Sequence, residues 1–157
     1  MKSHKFDWDE SKTLASNARA ELPMASGRYF ANGRETFGGE STPAELHAFR
    51  LQTKRFRYTL ELFRPVYGLT LEGMIRSLRV IQQLLGDIND CEASRKLILA
   101  SGDRRSLQAR RVLRMLDRRQ EEKTAELGRL WLEFDREGAA RRWINYLAVY
   151  PGRVRRK

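Results

Sequence analysis

Cysteine is all but missing from this chain of 157 residues: Cys91 stands alone. No disulfide can form within it, and a reducing compartment is expected. Proline is scarce, with four residues in all, and alternating polar and apolar stretches are few, which together argue against a sheet. Histidine is limited to His4 and His47. Neither has a zinc-type partner three or four residues on, and the acidic residues near His4 read as a charged terminus, so no metal site is expected. There is no Gly-rich phosphate loop, no Ser/His/Asp set and no dinucleotide glycine fingerprint, so neither an enzyme nor a cofactor is expected. No apolar run approaches bilayer length. The charges crowding Met1 to Glu10 do not read as a secretory signal, which makes a cytoplasmic location without a membrane partner the expectation.

What the chain does have is helix formers and positive charge. Hydrophobic residues make up 41% of it, enough for a packed interior. Leu, Ala, Arg, Glu and Gln dominate the second half. The fold class expected is all-α: a four-helix bundle with long helices and a short C-terminal helix, one domain over 1–150 and a basic tail over 151–157. Thirty-one Lys and Arg face twenty Asp and Glu, a formal charge of +11. The excess grows along the chain, from six basic against six acidic residues in 1–40 to sixteen against eight in 101–157. Arg far outnumbers Lys, and its guanidinium fork pairs two phosphate oxygens at once. Such a balance points to an anionic partner, with a merely solvated charged face as the plainer account.

Segment 11–32 reads as a first helix, capped by Ser11, with Pro23 predicting a kink or break and Gly33 opening a loop. Thr42-Pro43-Ala44-Glu45 is a compact start signal. The second helix is expected from Pro43 to Arg64, ended by Pro65, with Leu46, Phe49, Thr53, Phe56, Leu60 and Phe63 inward. Thr70 is expected to cap a third helix that buries Leu71, Met74, Ile75, Leu78, Ile81, Leu85 and Ile88. A fourth follows the break at Ser101-Gly102-Asp103, with Val112, Leu113, Leu116, Leu127, Leu130, Trp131 and Phe134 inward. Gly138 should stop it, and Arg141 to Val149 should form the closing helix.

The polar side of the second helix carries the clearest chemistry. His47, Arg50, Lys54 and Arg57 fall within about 80° of one another at 100° per residue, bordering the apolar stripe instead of opposing it. Charges kept for solubility sit best on the far face, whereas these line a groove between helices. A row of cations at this spacing repels itself unless an anion lies over it. Only Glu45 and Glu61 stand near, one at each end. A linear chain of phosphates matches the row. Arg55 and Tyr58 extend the basic surface further round. The simpler alternative is that His47 and Arg50 make structural hydrogen bonds to neighbouring helices.

On the third helix, Gln82, Gly86 and Asn89 follow one another beside the buried stripe, with Asp90 just outside. Gly86 predicts close approach of another helix. Gln82, Asn89 and Asp90 are expected to reach across the seam and orient the arginines. On the fourth helix, Arg105, Arg119 and Lys123 lie on the apolar margin and are expected to share the groove. Arg111, Arg114 and Arg118 form an outward ridge that Asp117, Glu121 and Glu122 partly neutralise.

The stretch from Glu45 to Tyr58, ELHAFRLQTKRFRY, resembles the signature helix of CHAD domains, the conserved histidine α-helical domains. Leu78 to Asp90, LRVIQQLLGDIND, is similar to that family's next helix, with its Leu-Gly step and Asn-Asp pair. The likeness is clear over about residues 43–100. It implies a helical bundle that binds inorganic polyphosphate, found at polyphosphate granules. It also implies ligand contacts at His47, Arg50, Lys54, Arg55 and Arg57, with Asp90 orienting them. Members of the family usually carry two four-helix halves, each with a His-bearing helix. This sequence resembles one half, which suits either a short monomer or a homodimer that rebuilds a longer channel. The triphosphate-processing domain often joined to the family has no counterpart here, so the resemblance implies no catalysis.

Two other partners suit the bulk charge. One is nucleic acid, bound without sequence preference, although no helix-turn-helix or RNA-binding signature is present and no exposed aromatic is evident along the ridge. The other is an acidic protein. Trp8, Trp131 and Trp143 are placed in the core or at its margins.

Overall fold

The computed structural model describes residues 5–102 and 104–149. His4 and the tail expected over 151–157 lie outside the described residues. Among the described residues there are six helices and no strand: α1 (Leu14–Phe37), α2 (Pro43–Leu62), α3 (Arg64–Tyr67), α4 (Thr70–Ala100), α5 (Leu107–Phe134) and α6 (Ala139–Val149). The four long helices and the short closing one are those that composition and periodicity predict, and α3 is an added turn between α2 and α4.

The capping box at α2 is present in full. The Thr42 hydroxyl accepts from the Glu45 amide, and the Glu45 carboxylate accepts from the Thr42 amide at 2.8 Å. Elsewhere the punctuation read from the sequence is overruled by packing. The cap of α1 is Thr13 and not Ser11. Pro23 forfeits one ladder hydrogen bond, yet the helix runs through it, because Ala18 and Leu22 before it and Ala25, Tyr29 and Phe30 after it are buried. Gly33 lies inside α1, where a Cβ atom would stand 2.0 Å from the Trp131 ring. It is a seat for the indole and not the start of a loop. Pro65 does not end α2 but stands in the first turn of α3, where the missing N–H costs nothing. Thr70 is the first residue of α4, and Leu69 holds the cap position without a side-chain bond. At the other end, α5 stops at Phe134, ahead of Gly138, whose φ of 77° serves the turn into α6.

The close packing pairs are α4 with α5, α1 with α6, α2 with α4 and α1 with α2. An aromatic cluster fills their centre. The Tyr29 and Phe49 rings stack at 5.2 Å, Phe30 and Phe134 at 5.1 Å, and Trp131 meets Phe49 edge-on at 5.4 Å. Trp143 closes one side against Phe134 at 5.3 Å. Trp8 is a margin residue, half-exposed with its ring 6.4 Å from Phe63. The Tyr29 and Thr53 hydroxyls share a buried hydrogen bond of 3.2 Å, and burial pushes the Tyr29 hydroxyl well above its ordinary range. The Tyr67 hydroxyl donates to the Leu147 carbonyl at 2.7 Å, tying α6 to α3.

Beyond Cys91, α4 and the first half of α5 form a two-helix arm with little buried surface. Val112, expected to point inward, is exposed for this reason. Among the described residues no helix is long and apolar enough to cross a membrane.

Candidate functional site

The seam between α2 and α4 is apolar at its base. Leu46, Phe49, Phe56 and Leu60 on α2 are buried, as are Leu71, Ile75, Leu78, Ile81, Leu85 and Ile88 on α4. Its outer edge is polar and opens into a cavity of about 470 Å³ lined by Arg50, Arg57, Arg79, Gln82, Gln83, Gly86 and Asp90. Three guanidinium groups therefore converge on one recess.

Arg57 is the most firmly held. Its Nε donates to Gln82 Oε1 at 2.8 Å, its Nη1 pairs with Glu61, and its guanidinium carbon lies 4.3 Å from the centre of the Tyr58 ring. Arg79 Nη2 donates to the same Glu61 oxygen at 2.9 Å. Burial alone would raise the Glu61 carboxyl, but the hydrogen bond from Arg79 and the charges of Arg57 and Arg79 outweigh it and hold the group below the ordinary glutamate value. Arg50 is bound least. Its Nε is buried and has no hydrogen-bond partner among the described residues. A buried donor left unpaired costs stability, so Arg50 is the member of the three with most to gain from an added acceptor.

Gly86 lies on the wall of this recess, and a Cβ atom there would meet nothing within 4 Å. The close helix approach expected from the sequence is absent. The missing side chain keeps the recess open instead.

His47 stands one step along the seam, in an adjoining cavity of about 610 Å³ that Asn89 and Lys96 also line. Its Nδ1 is 2.8 Å from Asn89 Oδ1. Gln82 and Asn89 thus both reach across from α4 to α2. Asp90 does not: it is exposed at the rim and makes no hydrogen bond or ion pair among the described residues. Lys54 is exposed on the crest of α2, its Nζ 5.8 Å from the Tyr58 ring. Arg55 points away and lines a different recess with Phe6, Ala25 and Tyr29, between α1 and α2.

The three residues expected to reach the groove from the fourth helix do not line it, and Arg105 falls in the turn ahead of α5. Lys123 pairs with Glu126 at 2.7 Å and stands in the field of Asp87 and Arg119, while Arg119 is exposed. The groove is built by α2 and α4, and a wheel drawn on α5 could not show which neighbour faces its basic margin. Arg79 is the residue that reading the sequence missed. Its signal was there in Arg79, Gln82, Gln83, Gly86 and Asp90, spaced along one polar crest of α4. Tyr58 is also corrected. It is 49% exposed and interleaved with Lys54 and Arg57, so an aromatic does border the ridge.

A larger cavity of about 870 Å³ between α4 and α5 is lined by Glu40, Glu92, Asp117 and Glu121, with Arg95 bonded to Asp117 at 3.1 Å. Its charge would repel an anion. Among the described residues no three His, Cys, Asp or Glu side chains gather as metal ligands.

The family model of the CHAD domain matches residues 4–99, which takes in α1 to α4 and both helices of the groove. No curated protein and no solved structure matches the chain.

Proposed function

We propose, from the premise that this chain belongs to the CHAD domain family, that the α2–α4 groove binds inorganic polyphosphate without catalysing a reaction on it. The observation that carries this reading is the convergence of Arg50, Arg57 and Arg79 on an open recess, with Arg50 Nε buried and unpartnered. A phosphate chain offers oxygens on every side and one negative charge per internal unit. Arg50 and Arg79 supply guanidinium forks and Lys54 a point charge, with His47 on the same line. Gln82 holds Arg57 in place, so less side-chain freedom is lost when the ligand lands. The recess presents the hydrogen-bond donors of three guanidinium groups to the chain. The same reading places the protein in the cytoplasm, at polyphosphate granules.

Tyr58 favours a second reading. An exposed ring beside Lys54 and Arg57 is what a single-stranded nucleic acid would stack on. The ring is already covered on one side by the Arg57 guanidinium, which leaves less of it for a base.

Titration with long-chain polyphosphate, with DNA of equal charge as competitor at moderate salt, tests both. Tight binding that DNA fails to displace supports the polyphosphate reading. Equal displacement would leave a nonspecific polyanion binder, and no binding would turn attention to acidic protein partners.

A further inference from the structure

The cations of the groove are not equally free. Arg50 has no partner for its Nε, whereas Arg57 and Arg79 share one carboxylate, that of Glu61, at the α3 end of the recess. Glu61 is half-buried, and the Arg57 side chain is only 12% exposed, so this contact is screened less than a surface ion pair. Glu72 lies on the outer side of Arg79, 3.7 Å from its Nη1, and also pairs with Arg64 at 2.9 Å. It makes no ion pair with Arg57.

Resting on the polyphosphate reading, we infer that Glu61 is the resident counter-anion of the groove: a carboxylate that occupies Arg57 and Arg79 when the site is empty and that an incoming phosphate must displace. Two physical facts support this. A carboxylate and a phosphate oxygen compete for the same guanidinium donors, in the same in-plane geometry. Arg57 also has a second tether, the Gln82 bond to its Nε, so it stays aimed at the recess when Glu61 lets go. The groove therefore rejects weak, singly charged anions, which cannot outbid a carboxylate already in contact. It accepts a chain whose neighbouring charges reach Arg50 and Arg57 together.

The test is to titrate long-chain polyphosphate against the wild-type chain, Glu61→Gln and Glu72→Gln over a range of salt concentrations. Circular dichroism of each variant would check its helicity. Both substitutions raise the net charge equally, but only Glu61→Gln frees Arg57. The expected result is that Glu61→Gln tightens polyphosphate roughly tenfold and steepens the salt dependence by one to two contacts, at about 0.7 per contact for a single strand. Glu72→Gln should change affinity much less. Glu61→Gln should also bind inorganic phosphate measurably, and the wild type should not.

Equal tightening by the two variants would reduce the effect to net charge and overturn the inference. So would unchanged or weaker binding by a Glu61→Gln variant of normal helicity, since Glu61 would then be positioning the arginines and not competing for them. Should the variant lose helicity, Glu61→Asp supplies the same test: its shorter reach loosens the pairing without removing the charge, and tighter binding is again expected. If the wild-type chain binds no polyphosphate at all, the reading of the groove fails and this inference with it. If it binds and Glu61→Gln does not tighten it, the inference alone fails.

Discussion

His47 Nδ1 and Asn89 Oδ1 stand 2.8 Å apart, bridging α2 and α4 at the mouth of the groove. A carboxamide oxygen only accepts, so this contact keeps the imidazole proton on Nδ1 and leaves Nε2 as the second ring nitrogen. Removing the ring tests whether it lies on the ligand path. His47→Ala should weaken polyphosphate binding while leaving helicity intact, and unchanged affinity in a helical variant would take His47 off that path.

Two of the groove arginines and the α5 basics should separate cleanly. Arg50→Ala and Arg79→Ala should each weaken polyphosphate binding and lower the salt slope by roughly one contact. Arg119→Ala and Lys123→Ala should leave the slope near the wild-type value, because neither lines the recess. Affinity measured at four or five salt concentrations reads this directly. A loss at Lys123 equal to that at Arg50 would relocate the site to α5.

Two glycines should answer the same substitution with opposite signs. Gly33→Ala drives a methyl group into the Trp131 ring and should destabilise the fold by about 2 kcal/mol, a typical overpacking cost. Gly86→Ala meets nothing within 4 Å and should stabilise the fold by about 0.8 kcal/mol through helix propensity. Urea unfolding of the two variants checks both. Gly86→Leu, which projects further into the recess, should keep the stability and lose polyphosphate affinity.

Acid should unfold the chain partly through carboxylates held in contact. Glu61 and Glu45 both titrate below the ordinary glutamate value of 4.5: at Glu61 the arginine contacts outweigh burial, and at Glu45 the cause is the hydrogen bonds from Thr42. Hydrogen bonds from Lys12 and Ser11 hold the Asp9 carboxyl down to about 2. A carboxylate with a depressed folded-state value contributes stability that is fully present above its unfolded value and is lost as pH falls through the folded one. The thermal midpoint should thus hold from pH 7 to about pH 5 and decline below it. Glu61→Gln should flatten part of that decline, as a midpoint series from pH 6 to pH 2.5 would show.

Helix faces were legible wherever a long amphipathic period ran without interruption. Leu46 to Leu60 and Leu71 to Ile88 are buried as their spacing requires, and the capping box at Thr42 needs only residues within one turn. Gly33 and Pro65 were misread, and Pro23 does not break its helix, because each is a local stop signal whose effect depends on partners far away in sequence. Trp131, which makes Gly33 necessary, is nearly a hundred residues on. The ridge on α2 was placed in direction but not in company. His47, Arg50 and Arg57 meet α4, while Arg55 turns towards α1. A period assigns a residue to an angle on its own helix, and only the packing order says which helix stands at that angle. Arg79 was missed for the converse reason, because its helix was searched for amides and not for cations.

The neighbour relation between α1 and α6 bears on where this protein can be cut. The stretch that carries the family likeness stops at residue 99, yet Phe30 rests on Phe134 and Trp143, and Gly33 on Trp131. Arg34 is clasped by both oxygens of Asp135, at 2.7 and 2.8 Å. A fragment trimmed to the likeness would carry every groove residue and still leave the rings of α1 bare to water. The border of the family match thus falls inside a packed aromatic core, and excision at that border would remove the rings on which α1 rests.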